Sequence, residues 1–314
     1  MALTVIEAAC DVATWDVEDE PVPRDVLLAA AGSADGLLTM TSDRVDAQLI
    51  NAAPRLRVVA NMAVGVDNIA QAALATRGII LTNTPDVLTE TTADLAWALI
   101  LAASRRVVEG QRLIESGEWR SWAPMFMVGA DVHGATLGVL GAGRIGAAVL
   151  RRGRGFGMTL RYSNRSRRPD LEAELGAQWR SLLDLFAQSD VVVVTAPLTS
   201  ATRGLVGPAE LGAMKPTSVL VNVARGPVVQ EDALVAALTS GRPWAAGLDV
   251  FEHEPIGADH PLLRHPRVVA VPHIGSASVA TRTAMAVTAA RNLVAVITGQ
   301  PAPNPVEPPR PTAG

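Results

Sequence analysis

The chain reads as an α/β protein with two parallel-sheet domains, and two observations carry that reading. Short apolar runs alternate with helical patterns along the 314 residues. The runs are near-continuous, as in parallel strands covered on both faces. A glycine-rich strand–turn–helix signature falls in mid-chain, with a complete α/β region already placed before it. Hydrophobic residues make up 49% of the chain and charged ones 18%, which describes a globular protein with a sizeable core.

Taken in order, the first region gives a strand-like run at 3–9, a helix at 25–31, a strand at 36–40 and a helix at 44–52. A strand at 56–61, a helix at 69–77 and a strand at 79–82 follow. One long apolar helix is expected over 91–117, with Glu90 and Asp94 supplying acids near its N-terminus. Past the signature come strands at 158–162, 191–195, 218–223, 245–250 and 268–271, with helices at 181–187 and 231–240. A last helix is expected over 278–298. It and the 91–117 helix are the natural connections between the two domains. From Gln300 onward six of fifteen residues are proline, so this tail is expected to be poorly ordered.

The formal charge of −4 offers no general attraction to nucleic acid or to an anionic membrane. Cys10 is the single cysteine, which excludes an internal disulfide and a cysteine metal cluster. It reads as a small core hydrophobe in an early strand. No metal is expected. The longest apolar run, 95–103, is far short of the roughly 20 residues a membrane span needs. No basic-then-apolar leader is apparent near Met1, so a soluble, cytoplasmic protein is expected.

The mid-chain signature runs from the apolar strand Leu137-Gly138-Val139-Leu140 into Gly141-x-Gly143-x-x-Gly146 and a helical pattern. In that context Gly141 allows a tight turn, Gly143 lets backbone approach a pyrophosphate, and Gly146 lets helix and strand pack closely. The helix start offers unpaired N–H groups and a positive dipole end to phosphates. An NAD-binding unit places an acid about 20 residues on, for the ribose hydroxyls. Here the next strand ends in Ser163-Asn164-Arg165-Ser166-Arg167-Arg168, with no acid. Arginine pairs with a 2′-phosphate where a carboxylate would repel it, so Asn164, Arg165 and Ser166 point to NADP(H) in preference to NAD(H).

Ligands in open parallel sheets lie at the carboxyl ends of the strands. Three such ends carry ionisable groups: Arg225 after 218–223, Glu252-His253-Glu254 after 245–250, and His273 after 268–271. Arginine binds a carboxylate as a fork. Imidazole titrates near neutrality and delivers a proton to a carbonyl oxygen as hydride reaches the carbon. A carboxylate on the other ring nitrogen fixes the tautomer and favours the protonated ring. Carbonyl reduction needs those functions and no metal. The spacing alone leaves Glu252 and His253 open beside Glu254.

The chain resembles the D-isomer-specific 2-hydroxyacid dehydrogenases, most closely their glyoxylate/hydroxypyruvate reductase branch, over about residues 36–300. The resemblance rests on Asn61-Met-Ala-Val64-Gly65-Val-Asp67, Asn83-Thr-Pro85-Asp86, the glycine signature, Thr195-Ala-Pro197-Leu-Thr199, Asn222-Val-Ala-Arg225-Gly226, Gly247-Leu-Asp249-Val-Phe251 and Pro272-His273-Ile-Gly275-Ser276. It implies two Rossmann-like, doubly wound domains with the active site in the cleft between them. Residues 1–92 with 286–314 would form the substrate-binding, flavodoxin-like domain, and 93–285 the NAD(P)-binding domain. It implies a catalytic trio of Arg225, Glu254 and His273, and so selects Glu254. Backbone N–H groups around Val64 and Gly65 would bind the substrate carboxylate with Arg225. Thr92, Arg144, Ile145, Pro197, Thr202, Val223, Ala224, Asp249 and Ser276 would lie along the cofactor, with Asp249 facing the nicotinamide amide.

The same resemblance implies a homodimer built through the cofactor domain and the long helix. Its arm, Gly117-Glu-Trp119-Arg-Ser-Trp122-Ala-Pro124, would carry Trp122 towards the partner's substrate pocket, unless Trp119 and Trp122 are plain interface or core anchors. Met40, Met62, Met125 and Met127 would shape a larger apolar pocket. Two alternatives fall short. Phosphite dehydrogenases share much of the pattern but carry a lysine where Val64 stands. Corepressors of this fold keep the trio, yet this chain lacks long interaction tails and basic patches.

Overall fold

The computed structural model describes residues 1–17 and 20–307. The described residues of Met1–Leu88 with Ala277–Gly314 form one compact unit, and Thr89–Ser276 forms a second.

The smaller unit contains α1 (Ala2–Glu7), α2 (Arg24–Ala31), β1 (Gly36–Thr39), α3 (Ala47–Ala52), β2 (Val58–Asn61), α4 (Gln71–Thr76), β3 (Ile80–Thr82) and the last helix, α13 (Val279–Ile297). Its sheet is parallel, ordered β1-β2-β3. Residues of β2 alternate between two layers. Val58 and Ala60 pack with Ala289, Ala290, Leu293 and Val296 of α13, while Val59 packs with Leu49, Ile50 and Leu74. Asp46 and Ser278 cap α3 and α13 by accepting from Leu49 N and Thr281 N.

Two expectations fail in this unit. The run at 3–9 is helical rather than a strand: its apolar residues Ala2, Val5 and Ile6 share a core with α13. Packing of one apolar face outweighs the weak strand preference of Thr4, Val5 and Ile6. The expected poorly ordered tail is pinned as far as it is described. Asn304 N donates to Asn292 Oδ1 at 3.0 Å, Asn304 O accepts from Asn83 N at 3.2 Å, and Val306 N donates to Leu81 O at 2.8 Å. Proline takes no N–H out of this arrangement because Pro305 pairs with Thr82 at a sheet edge. Residues 308–314 of that expectation lie outside the described residues.

The larger unit runs α5 (Thr89–Ser104), α6 (Val107–Glu115), β4 (Thr136–Leu140), α7 (Arg144–Gly155), β5 (Thr159–Ser163), α8 (Pro169–Leu175), β6 (Gln178–Trp179) and α9 (Leu182–Gln188). It continues with β7 (Val191–Val194), α10 (Pro208–Ala213), β8 (Val219–Asn222), α11 (Glu231–Thr239), β9 (Ala245–Leu248), α12 (Pro261–Arg264) and β10 (Val268–Ala270). Every pairing is parallel, in the order β10-β9-β8-β7-β4-β5-β6. The chain therefore winds outward from β4 in one direction and from β7 in the other, which makes a switch point between those two strands. Val139, Val193 and Val221 face a layer containing α5 and α7, and Leu140, Val192, Val194 and Leu220 face one containing α9, α10 and α11.

The single long helix expected over 91–117 is two helices. Arg106 stands between them in the left-handed region (φ 55°) and forks onto Glu109 at 2.5 and 2.7 Å. Ser104 O, left without a helical donor by the break, accepts from Ala130 N at 2.9 Å. Gly129 makes that approach feasible, since a Cβ there would lie 2.2 Å from Ser104 O. Among the described residues no helix is long and apolar enough to cross a membrane.

Candidate active site

β4 ends in the glycine signature, and each glycine has a distinct surrounding. Gly141 has φ 96°, and a Cβ there would sit 2.5 Å from Ala196 N on the loop after β7. A Cβ on Gly146 would meet Gly141 O at 2.5 Å and Thr195 Oγ1 at 2.8 Å, so α7 lies tight against the strands. Gly143 differs: it is the N-cap of α7, makes no side-chain cap, and has nothing within 4 Å of a Cβ position. Open backbone at an uncapped helix start is what a dinucleotide pyrophosphate requires. Arg144 and Ile145 are the next two residues, in the first turn of α7.

The basic turn after β5 is more committed than its sequence suggests. Arg167 forks onto Glu172 at 2.7 and 3.0 Å, and Glu172 also accepts from Tyr162 OH at 2.6 Å. Arg168 forks onto Asp170 at 2.5 and 2.8 Å, and its hydrogen bonds hold the Asp170 carboxyl down at about 2. Asn164 Oδ1 accepts from Ala142 N at 2.7 Å. Among the described residues, Arg165 and Ser166 make no side-chain hydrogen bond or ion pair, and both are exposed.

The ionisable candidates come from the ends of β8, β9 and β10, which are neighbours in the sheet. After β8, the buried Asn222 side chain ties the loop: its Nδ2 donates to Arg225 O at 3.1 Å and its Oδ1 accepts from Ala224 N at 3.1 Å. Gly226 then passes against the β9 loop so closely that a Cβ would lie 1.8 Å from Phe251 C. After β9, Glu254 Oε1 accepts from Phe251 N at 3.0 Å and Oε2 lies 2.7 Å from His273 Nδ1. Partial burial pushes the Glu254 carboxyl up. The hydrogen bonds from His273 and Phe251 N and the charges of His273 and Arg225 outweigh that, and hold it below its ordinary value.

Glu254, not Glu252, thus reaches the histidine. Glu252 instead accepts from Glu231 N at 3.1 Å, and its own N–H donates to Glu231 Oε1 at 2.6 Å. After β10, His273 adopts φ 51° and its N–H donates to Asp249 O at 2.9 Å. The Asp249 carboxylate is buried and accepts from Ile274 N at 2.6 Å and Gly275 N at 2.9 Å. Burial pushes it up to about 6 despite those bonds and the His273 charge. Asn222 and Asp249 therefore shape the loops that carry Arg225 and His273. Motif spacing alone gives Asn222 no such task; a polar amide ending an otherwise apolar strand is the signal that could have found it.

The other cofactor candidates lie in the same unit. Thr92 is buried near Gly275, Val223 and Ala224 are buried beside Arg225, and Thr202 Oγ1 donates to Pro197 O at 2.6 Å within its own loop. Ser276 closes the unit. Val64 and Gly65 belong to the smaller unit. Their carbonyls accept from Asn83 Nδ2 and Asn61 Nδ2, each at 2.9 Å, while their N–H groups make no hydrogen bond among the described residues. Trp119 and Trp122 are 57% and 79% exposed, which removes a core role for either. Met40 and Met125 are exposed as well.

Residues 97–275 match the family model described as D-isomer specific 2-hydroxyacid dehydrogenase, NAD binding domain. A glyoxylate reductase of Aeropyrum pernix is 49% identical over 307 residues, covering 96% of this chain and 91% of that protein. One from Thermococcus kodakarensis is 49% identical over 297 residues, covering 93% and 89%. Among solved structures, a Thermus thermophilus protein aligns with TM-score 0.86 and 44% identity over 92% of this chain and 91% of its own. An NADPH-dependent glyoxylate/hydroxypyruvate reductase from Sinorhizobium meliloti, crystallised with NADP and malonate, aligns with TM-score 0.80 and 37% identity over 88% and 85%.

Proposed function

Because the chain belongs to the D-isomer specific 2-hydroxyacid dehydrogenase family, and is thus an NAD(P)-dependent oxidoreductase acting on a CH–OH group, we propose that it is an NADPH-preferring reductase of glyoxylate, hydroxypyruvate or a similar small 2-keto acid. The observation that carries this reading is the 2.7 Å contact between His273 Nδ1 and Glu254 Oε2, past the end of β10, which pairs with β9 before Asp249 and lies two strands from β8 before Arg225.

With Nδ1 engaged by Glu254, the other ring nitrogen of His273 is the one left to give a proton to the keto oxygen. Glu254 fixes the orientation and tautomer of the ring through that contact. The Arg225 guanidinium would fork onto the substrate carboxylate. In the smaller unit, the N–H groups of Val64 and Gly65 make no hydrogen bond among the described residues and would be open to a carboxylate. When bound, the nicotinamide cofactor supplies the hydride that the keto carbon receives. The Gly141–Gly146 loop and the start of α7 would hold its pyrophosphate.

NADPH is favoured because β5 ends without an acid and Arg165 has no partner among the described residues, which leaves its charge available to a 2′-phosphate. The same reading makes the protein a cytoplasmic homodimer, with exposed Trp119, Trp122, Met125 and Phe126 in the contact. Oxidation of NADPH and NADH with a panel of 2-keto acids tests it. Turnover of glyoxylate or hydroxypyruvate with the lower KM for NADPH is expected. A preference for NADH of about tenfold would overturn the cofactor assignment, and no turnover with any 2-keto acid would overturn the substrate assignment.

A further inference from the structure

Ala142 is completely buried between two glycines, yet both polar groups of its backbone are held by side chains from the turn after β5. Its N–H donates to Asn164 Oδ1 at 2.7 Å, and its carbonyl accepts from Arg168 Nη1. Arg168 is itself anchored. Its Nε and Nη2 donate to Asp170 at 2.8 and 2.5 Å, and its backbone N–H donates to Tyr162 OH at 2.6 Å. Asn164 is fixed from the other side by Trp179 Nε1, which donates to Asn164 O at 3.1 Å.

All three guanidinium nitrogens of Arg168 are therefore engaged within the protein, and its fork edge faces Asp170 rather than open space. A backbone segment between two glycines has little stiffness of its own. A clamp on both of its polar groups removes the freedom that Gly141 and Gly143 introduce.

We propose that Asn164 and Arg168 are positioning residues for the cofactor. They set the Gly141-Ala142-Gly143 turn in the shape that receives a pyrophosphate, and leave discrimination of the 2′-phosphate to Arg165 and Ser166. The inference rests on the dinucleotide reading above. It divides a basic turn that looks uniform in sequence into two functions. One half serves NADPH and NADH equally, because both carry the pyrophosphate; the other serves NADPH alone.

Fluorescence titration of the cofactor-free protein with NADPH and with NADH separates these roles without any turnover. Arg168→Ala and Asn164→Ala should each weaken both cofactors by about tenfold, with the NADPH-to-NADH ratio of Kd values kept within about twofold of wild type. Arg165→Ala should weaken NADPH by about tenfold and leave NADH within about twofold. Asn164→Asp keeps an acceptor for Ala142 N, so it should restore NADH binding lost in Asn164→Ala. If Arg168→Ala folds poorly, Arg168→Met is read instead with the same expectation, since it keeps the aliphatic stem and removes every donor to Ala142 O.

Selective loss of NADPH in the Arg168 variant would make it a phosphate ligand and overturn the clamp. Unchanged binding of both cofactors in the Arg168 and Asn164 variants would overturn it too, as would failure of Asn164→Asp to rescue NADH. The wild-type titration judges the underlying reading on its own. Binding of neither dinucleotide removes that reading and the clamp with it. A wild-type preference for NADH removes only the NADPH assignment, and equal losses in the two alanine variants would still support the clamp.

Discussion

At the ends of β4 and β5 the larger unit presents backbone, whereas at the ends of β8, β9 and β10 it presents side chains. The first region has glycines with one open position, an uncapped helix start, and side chains largely turned inward to hold the turn. The second has a guanidinium, a carboxylate and an imidazole on three adjacent strand ends, each loop held by a buried polar residue or a close glycine contact. The difference matches the two tasks. A pyrophosphate is recognised by N–H groups and a helix dipole, which any sequence with room can supply. Proton transfer needs a group that changes charge, at a fixed distance and in a fixed tautomer.

The sharpest way to break that division is to remove the imidazole. His273→Ala should lower kcat by about a hundredfold to ten-thousandfold, the range for a positioned acid–base group. The Kd for NADPH, measured by fluorescence on the same protein, should stay within about twofold of wild type. A nearly unchanged kcat would refute the role of His273. A matching loss of cofactor affinity would show that the two regions are not separable.

A smaller effect is expected at the carboxylate behind the ring. Glu254→Gln keeps the shape but removes the charge, and kcat should fall by about tenfold. Stability gives a second reading. The folded protein holds Glu254 below its ordinary value of 4.5, so protonating it is harder folded than unfolded. Its contribution is therefore present above pH 4.5 and is lost as the pH falls through the lowered value. The difference in melting temperature between wild type and Glu254→Gln should be constant at neutral pH and shrink in acid. A difference that grows as the pH falls would reverse the assignment.

The contrast also explains what the sequence made legible. The glycine loop is written in ten consecutive residues, and its strand, turn and helix are all where the pattern puts them. Arg225, Glu254 and His273 could be named as strand-end residues. Only the strand order makes them neighbours, and only tertiary contacts turn Glu252 away to Glu231. The basic turn misleads for a related reason, since Asp170 and Glu172 take up two of its arginines from the first turn of the next helix. Residues 3–9 read as a strand because Thr4, Val5 and Ile6 are β-branched, yet their surroundings are the last helix of the chain, nearly 300 positions away. The break at Arg106 is set by the approach of Gly129 and Ala130 to Ser104, which no local pattern encodes.

The finest test sets two glycines of one loop against each other. At Gly143 φ is −75°, on the negative side that L-residues adopt, and a methyl group would meet nothing within 4 Å. Gly143→Ala should therefore melt within about 0.5 kcal/mol of wild type. The methyl would occupy the space meant for the pyrophosphate, so NADPH and NADH should both bind about tenfold more weakly. Gly141→Ala carries the opposite expectation. With φ 96° and Ala196 N 2.5 Å from the new methyl, it should lose about 1–3 kcal/mol of stability in a thermal melt, whatever the ligand. Wild-type affinity in Gly143→Ala would mean that the open position faces no ligand. Equal destabilisation by both changes would mean that the loop's glycines serve folding alone, and the contrast between a backbone half and a side-chain half would lose its basis.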